Sequence, residues 1–349
     1  MPGLFFCFLF FISYLCAYKF SIMKKVIFLF ISVFVGFFAN AQIGDYSLQD
    51  IHIRDPYILA DSASHTYYLY RSAMQVTDKG KVGGVECFTS KDLVTWTGPY
   101  TVCTVPADNW ITGPIWAPEV HLYRGRYYLF ATLNTDIQWK KKQEGWPAYT
   151  FRGVQIFHSD SPMGPFVPFS TEPTLPMDQM TLDGTLYVED GVPYMVYCHE
   201  WVQTVDGEMC VVRLKDDLSA TDGEPLRLFN ASSAAWSTGR HSESASIGYI
   251  TDGCFLYTTT AGRLLMIWSS FHNGDYAIGI AESATDRITG PWRHHDELLF
   301  SANGGHGMIF RSFDGVLYIV LHGPNKPSGD ERAHLYRLID NGKSIIIEQ

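Results

Sequence analysis

The sequence predicts an all-β protein, a five-bladed β-propeller with four antiparallel strands per blade. Three observations carry that expectation: a hairpin pattern that recurs five times, a spacing near 63 residues between recurrences, and no apolar stripe of helical period after residue 41. The recurring segments are DPYILADSASHTYYLY from Asp55, APEVHLYRGRYYLFAT from Ala117, LDGTLYVEDGVPYMVY from Leu182, TDGCFLYTTTAGRLLMIWSS from Thr251 and GHGMIFRSFDGVLYIVLH from Gly305. Each opens with a short apolar strand, turns on Gly or polar residues, and returns in a second apolar, mostly aromatic strand, as β-hairpins do.

Taking Asp55, Glu119, Asp183, Asp252 and His306 as markers, the intervals are 64, 64, 69 and 54 residues. The first four units each carry a second strand pair, VECFTSKDLVTWTGP, VQIFHSDSPMGPFVP, GEMCVVRLKDDLSATDGEPL and YAIGIAESATDRITGPW. Four strands at this period is the arithmetic of a propeller blade. Residues 42–349 divide into five units of about 62, so a single domain is expected with no room for a second. A β-sandwich would account for the short strands but not for the five-fold interval.

The segment 23–41, MKKVIFLFISVFVGFFANA, has two lysines, an apolar run and Ala39 and Ala41 in A-x-A spacing, which reads as a secretory signal cleaved before Gln42. A chain started at Met23 has a complete signal, so residues 1–22 are expected to reflect a start codon placed too early. The alternative is a membrane anchor, but each apolar run is shorter than the roughly 20 residues that a span needs. The expected location is therefore secreted or periplasmic, with no stable membrane insertion after processing.

The chain has 349 residues, 46% of them apolar, and a formal charge of −10. The 1–41 leader holds three lysines and no acid, which leaves 23 Lys and Arg against 36 Asp and Glu, a net −13, on the remaining 308 residues. So acidic a body excludes nucleic acid as a partner and makes neutral substrates the better expectation. The leader also takes eleven of the 23 Phe, leaving a body rich in Tyr and Trp. Such rings pack between sheets and also stack on sugars. Five cysteines remain, Cys87, Cys103, Cys198, Cys210 and Cys254, an odd number without a C-x-x-C pair. Buried thiols are expected, with Cys198 and Cys210 the one pair to consider for a disulfide.

In a propeller the innermost strand of every blade starts beside the central channel, so Asp55, Glu119, Asp183, Asp252 and His306 should converge on one axis. Any single Asp there could instead cap a turn. Several at matched positions read as a cluster of carboxylates in which one stays protonated and another ionised, the requirement of glycoside hydrolysis. Trp116, Trp201 and Trp268 fall near the same rim as platforms for a sugar ring. The ends of the second strands add Asn134, the run from His199 through Glu200, Ser269 to Phe271, and His322. Segments 136–149 and 231–246 are the loops expected to set specificity.

The ordered motifs IRDPYILA, IWAPEVHLYRGRYYLFAT, LDGTLYVEDGVPYMVY, TDGCFLY, LLMIWSSF and GGHGMIF resemble glycoside hydrolase family 43 from Ile51 to the carboxyl terminus. That resemblance implies a catalytic propeller with an inverting mechanism. Asp55 matches the general base, and Asp183 the acid that orients the proton donor and raises its pKa. The fourth-blade opener should be the general acid, usually a Glu in an E-G-P or E-A-P setting, whereas this sequence has Asp252 in T-D-G-C. Asp252 is the first choice and Glu200, in CHEW, the alternative. Trp116, Glu119, Trp201, Trp268 and His322 are expected to contact substrate. His306, in G-G-H-G, matches an axial histidine near which relatives hold calcium largely through water; no cofactor is required. The related retaining, fructan-cleaving propellers open with W-M-N-D-P-N-G, which is absent here. The implied function is an exported inverting glycosidase, arabinofuranosidase- or xylosidase-like, acting as a monomer on neutral oligo- or polysaccharides that contain pentose or galactose. A carbohydrate-binding or catalytically degenerate propeller is the alternative.

Overall fold

Alternating apolar and polar runs separated by Gly- and Asp-containing turns become antiparallel hairpins here, and five sets of them stand around one axis. The computed structural model describes residues 43–77, 80–106, 109–241 and 247–348. The expected leader and its cleavage point lie outside them. Blade one is formed by β2 (Tyr57–Asp61), β3 (Thr66–Thr77), β4 (Gly80–Ser90) and β5 (Trp96–Thr104), with β1 (Gly44–Tyr46) added outside β5. Blade two contains β6 (Ile115–Tyr123), β7 (Arg126–Lys140), β8 (Tyr149–Ser159) and β9 (Val167–Pro168). In blade three the strands are β10 (Thr181–Glu189), β11 (Val192–His199), β12 (Glu208–Arg213) and β13 (Leu226–Asn230). A short pair, β14 (Arg240–His241) with β15 (Ile247–Gly248), precedes blade four. That blade comprises β16 (Asp252–Thr258), β17 (Leu264–His272), β18 (Asp275–Ser283) and β19 (Trp292–His294). Blade five is β20 (Gly305–Arg311), β21 (Leu317–Gly323), β22 (Arg332–Asp340) and β23 (Ile345–Ile347). Among the described residues, helix is limited to α1 (Trp201–Thr204) and one 3-10 turn, Ala231–Ser233.

One backbone device recurs at the axis. A residue with left-handed φ stands at the start of every innermost strand: Asp55 at 52°, Ala117 at 42°, Asp183 at 55°, Gly253 at 54° and His306 at 49°. In blades two to five it sits in a bulge, between Trp116 and Glu119, Leu182 and Thr185, Asp252 and Phe255, and Gly305 and Met308. A bulge inserts an extra residue and re-aims its neighbours, a feature common beside active sites.

The apolar faces of the blades meet their neighbours in continuous clusters. Leu69, Val120 and Phe310 belong to the cluster that joins blade one to blades two and five. Phe130 and Val212 join blades two and three, Val196 and Met266 blades three and four, and Ile267 and Ile319 blades four and five. Strand β17 is buried along nearly its whole length, hence its unbroken apolar run LLMIW. Among the described residues no strand is shared across the closure of the ring: Ile53 N–H donates to Glu331 O at 3.1 Å, and His52 and Arg332 form one antiparallel bridge.

The five cysteines are free and buried. Cys198 and Cys210 do not form the pair considered from sequence, because Cys210 lies opposite Tyr197 and so on the other face of the sheet from Cys198.

Candidate active site

The axial backbone device delivers polar side chains into a cavity of about 600 Å³ at the mouth of the channel. Asp55 comes from blade one, Asp183 and Glu200 from blade three, Asp252 from blade four and His306 from blade five, and all line the cavity. Blade two supplies Trp116 and Arg152. An Asp or a His tolerates left-handed φ better than most residues, which lets Asp55, Asp183 and His306 occupy the ring.

Each acid has a distinct set of neighbours. Asp55 Oδ1 lies 3.2 Å from His306 Nδ1, 3.2 Å from His322 Nδ1 and 3.7 Å from Arg54 Nε. Its backbone N–H also donates to His322 Nδ1 at 3.3 Å. Asp183 is fixed by its own N–H donating to Thr132 Oγ1 at 2.9 Å and by Gly253 N–H donating to its Oδ2 at 3.0 Å. Asp252 Oδ2 accepts from Tyr276 O–H at 3.0 Å. Glu200 is ion-paired with Arg152, whose Nε donates to Asn134 Oδ1 at 2.6 Å and whose guanidinium lies 4.3 Å from the Trp116 ring.

These environments separate the protonation states. Burial opposes the charge of Asp55, yet His306, His322 and Arg54 together outweigh it and hold the carboxyl well below the usual range. Burial pushes Asp252 up to about 8, with Asp183 and Asp55 adding repulsion. Asp183 is raised by burial and by Asp55, against the pull of the Gly253 N–H. Glu200 is raised by burial, while Arg152 draws it back. An ionised and a protonated carboxyl in one polar cavity is the pairing that acid–base cleavage of a glycosidic bond requires.

The family model described as glycosyl hydrolases family 43 matches residues 50–341. The chain belongs to that family. It is a glycosidase, hydrolysing glycosidic bonds. The fold is shared with an endo-arabinase from Bacteroides thetaiotaomicron, 37% identical, with a TM-score of 0.75 over 85% of this chain and 98% of that one. An α-L-arabinofuranosidase from Lactobacillus brevis is 18% identical, with a TM-score of 0.65 over 85% and 96% of the two chains, a likeness of fold. A curated relative, alpha-L-arabinofuranosidase 43 of Humicola insolens, is 28% identical over 92 residues, which span 26% of this chain and 17% of that protein.

Of the residues expected at a family 43 site, Asp55, Trp116, Asp183, Glu200, Trp201, Asp252 and His306 line the cavity. Three others do not, which corrects their assignment to substrate contact. Trp268 is 0% exposed, its ring 4.6 Å from that of Trp236 and tilted by 44° to it in the core between blades three and four. Glu119 lies beyond the left-handed Ala117, and its carboxylate meets His121 Nε2 at 2.9 Å, while His121 Nδ1 lies 3.2 Å from Tyr57 O–H. His322 is 0% exposed and serves Asp55 rather than a sugar.

Arg54, Arg152, Tyr276, Asn325 and Lys326 also line the cavity and were not singled out in the sequence. Arg152 had a visible signal: it is a lone charge in the strand YTFRGVQIFHS. The 136–149 loop reaches the cavity through Pro147 and Ala148, while Trp146 turns beneath it and donates to Val202 O at 2.7 Å. In the 231–246 segment, residues 242–246 lie outside the described ones, and Trp236 is a core residue.

Calcium takes six to eight oxygen ligands. His306 Nδ1 faces Asp55 and Asp183, and among the described residues no group of three or more His, Cys, Asp or Glu side chains could hold a metal. The described side chains thus build no direct calcium site, and the calcium held through water that the resemblance implies near His306 is given no catalytic step.

Proposed function

We propose that this chain is an exported, inverting glycoside hydrolase acting on neutral pentose-containing glycans, with arabinose polymers first among them. The observation that carries the reading is the pairing of an ionised Asp55 with a protonated Asp252, pushed up to about 8, across one cavity. The 37% identity to an endo-arabinase favours arabinan as the first substrate.

In this reading Asp55 takes a proton from a water molecule as the water oxygen attacks the anomeric carbon. The anomeric C–O bond to the leaving group breaks, and Asp252 gives its proton to the departing oxygen. Asp183 helps to keep Asp252 protonated, because two carboxyls buried in one cavity do not both ionise. Asp252 is preferred to Glu200 because Arg152 favours the ionised form of Glu200, whereas Tyr276 is the hydrogen-bond partner of Asp252. Trp116 and Trp201 offer ring faces to the sugar. No cofactor takes part.

The test is a panel of linear and branched arabinans, xylans and galactans, with the configuration of the first product followed by proton NMR. Release of the inverted anomer supports the reading, and a retained anomer overturns the mechanism. Saturable binding without any release would favour the degenerate, carbohydrate-binding alternative. Recovery of the protein outside the cytoplasm with its amino terminus at Gln42 would support export with cleavage there, and a terminus at Met1 or Met23 would refute the cleavage.

A further inference from the structure

Glu331 opens the way into β22 and is 2% exposed, yet its carboxylate meets three groups at once. Oε1 lies 3.3 Å from Arg54 Nη1 and Oε2 lies 3.2 Å from His52 Nε2. Gly329 N–H donates to Oε2 at 2.6 Å. Since Ile53 N–H donates to the Glu331 carbonyl, this residue fastens blade five to the segment ahead of β2 through both backbone and side chain.

Two of those partners lead into the cavity. Arg54 stands beside Asp55 at 3.7 Å, and its guanidinium lies 6.0 Å from the ring of Tyr276, the residue that donates to Asp252. Gly329 belongs to the 325–330 turn, of which Asn325, Lys326 and Ser328 line the cavity. We propose that Glu331 is a positioning residue for the hydrolysis: it holds Arg54 between the base and the acid and seats the 325–330 turn on the cavity rim.

The physical reason is competition for one guanidinium. Arg pairs bidentately with a carboxylate when nothing prevents it, and such a pair engages both oxygens. Here Glu331 takes Nη1, which leaves Arg54 3.7 Å from Asp55, beyond hydrogen-bond distance. Asp55 is thereby stabilised as an anion but keeps an oxygen for water. With the charge at 331 removed, Arg54 closes on Asp55, which becomes a weaker and less accessible base. The other groups facing Asp55 are His306 and His322, with Asp183 and Asp252 across the cavity, and none of these touches Glu331.

The inference rests on the hydrolase reading above, and its test separates the two. Wild type, Glu331→Gln, Arg54→Met and the double variant are compared for kcat, KM and pH profile on linear arabinan, together with thermal unfolding. The Asp55 carboxyl is titrated by carbon-13 NMR in wild type and Glu331→Gln. Gln keeps the acceptor for Gly329, so KM should stay within about threefold while kcat falls tenfold or more. The Asp55 titration and the acid limb of the profile should move to lower pH. In the Arg54→Met background the Gln substitution should change kcat by less than about twofold, because its route of action is already gone. Losses that multiply in the double variant, or an Asp55 titration that stays put or rises, would overturn the proposal. Glu331→Asp retains the charge and should keep the Asp55 titration at its wild-type position. A wild type inert on every glycan sinks the hydrolase reading alone, since the NMR titration still decides the hand-over of Arg54.

Discussion

Replacing Asp252 with Asn should make the protein more stable and far less active, and the structure sets the size of both effects. In the native cavity the carboxyl titrates at about 8, against 3.8 for an ordinary Asp. At neutral pH the folded chain therefore binds a proton that the unfolded chain has released. Stability attached to this group is complete below the unfolded pKa and is lost as pH rises toward the folded one. Each pH unit in that window is worth about 1.4 kcal/mol, so the cost reaches about 2 to 4 kcal/mol at pH 7, the lower figure applying where Asp183 shares the titration. Asn has no proton to exchange and still accepts from Tyr276, which removes the cost. Denaturant unfolding of both proteins from pH 4 to pH 8 should show curves that meet at the acid end and diverge steadily toward pH 8. Turnover of unactivated arabinan should fall by about 10² to 10⁴ in the same variant, whereas an aryl glycoside with a good leaving group should be cleaved almost normally. A stability difference that stays flat with pH, or a variant that keeps the wild-type rate on unactivated substrate, would refute the assignment of Asp252 as the buried proton donor.

Further outcomes follow from the same geometry. Wild-type activity should decline about tenfold per pH unit above pH 8 as Asp252 ionises, and a rate flat to pH 10 would count against it. Gly253→Ala should lower kcat by about 10², because the new Cβ would sit 2.7 Å from His306 Cγ at a φ of 54° and push the imidazole from Asp55; a crystal structure with His306 unmoved would oppose this. Arg152→Met leaves Glu200 buried without its partner, so unfolding at pH 7 should lose about 3 kcal/mol, recovered as pH falls and Glu200 takes a proton. Trp268→Ala should cost about 3 to 5 kcal/mol while sugar affinity, read by calorimetry, stays unchanged.

The architecture was legible because a propeller writes its blades as repeated hairpins, and hairpin signals are local. Asp55, Asp183 and Asp252 were legible for the same reason, each opening a repeat. Glu119 was misplaced because strand alternation predicts a facing only while the pleat is regular, and the bulge after Trp116 shifts the phase. Ala117 occupies the axial position instead, and Glu119 turns toward His121. Trp268 was misread because β17 runs on to His272, which leaves Trp268 in mid-strand with its ring against Phe229 and Trp236. Arg54, Arg152 and Tyr276 act through partners far away in sequence, and Glu331 lies 277 residues from the arginine it holds. Pairing of that kind is set by ring closure and leaves no periodic trace.

The five left-handed residues at the axis can also be regarded as interchangeable seats. Three are filled with chemistry, by Asp55, Asp183 and His306, and two are blank, holding the methyl group of Ala117 and the bare backbone of Gly253. Each seat is built by its own blade, yet the seats touch: Gly253 N–H holds Asp183, and a Cβ at Gly253 would sit 2.7 Å from His306 Cγ, so that blank cannot be filled without moving its neighbours. Ala117, already buried beside the axis, is the blank that remains where a designer could add a new acid, base or ligand.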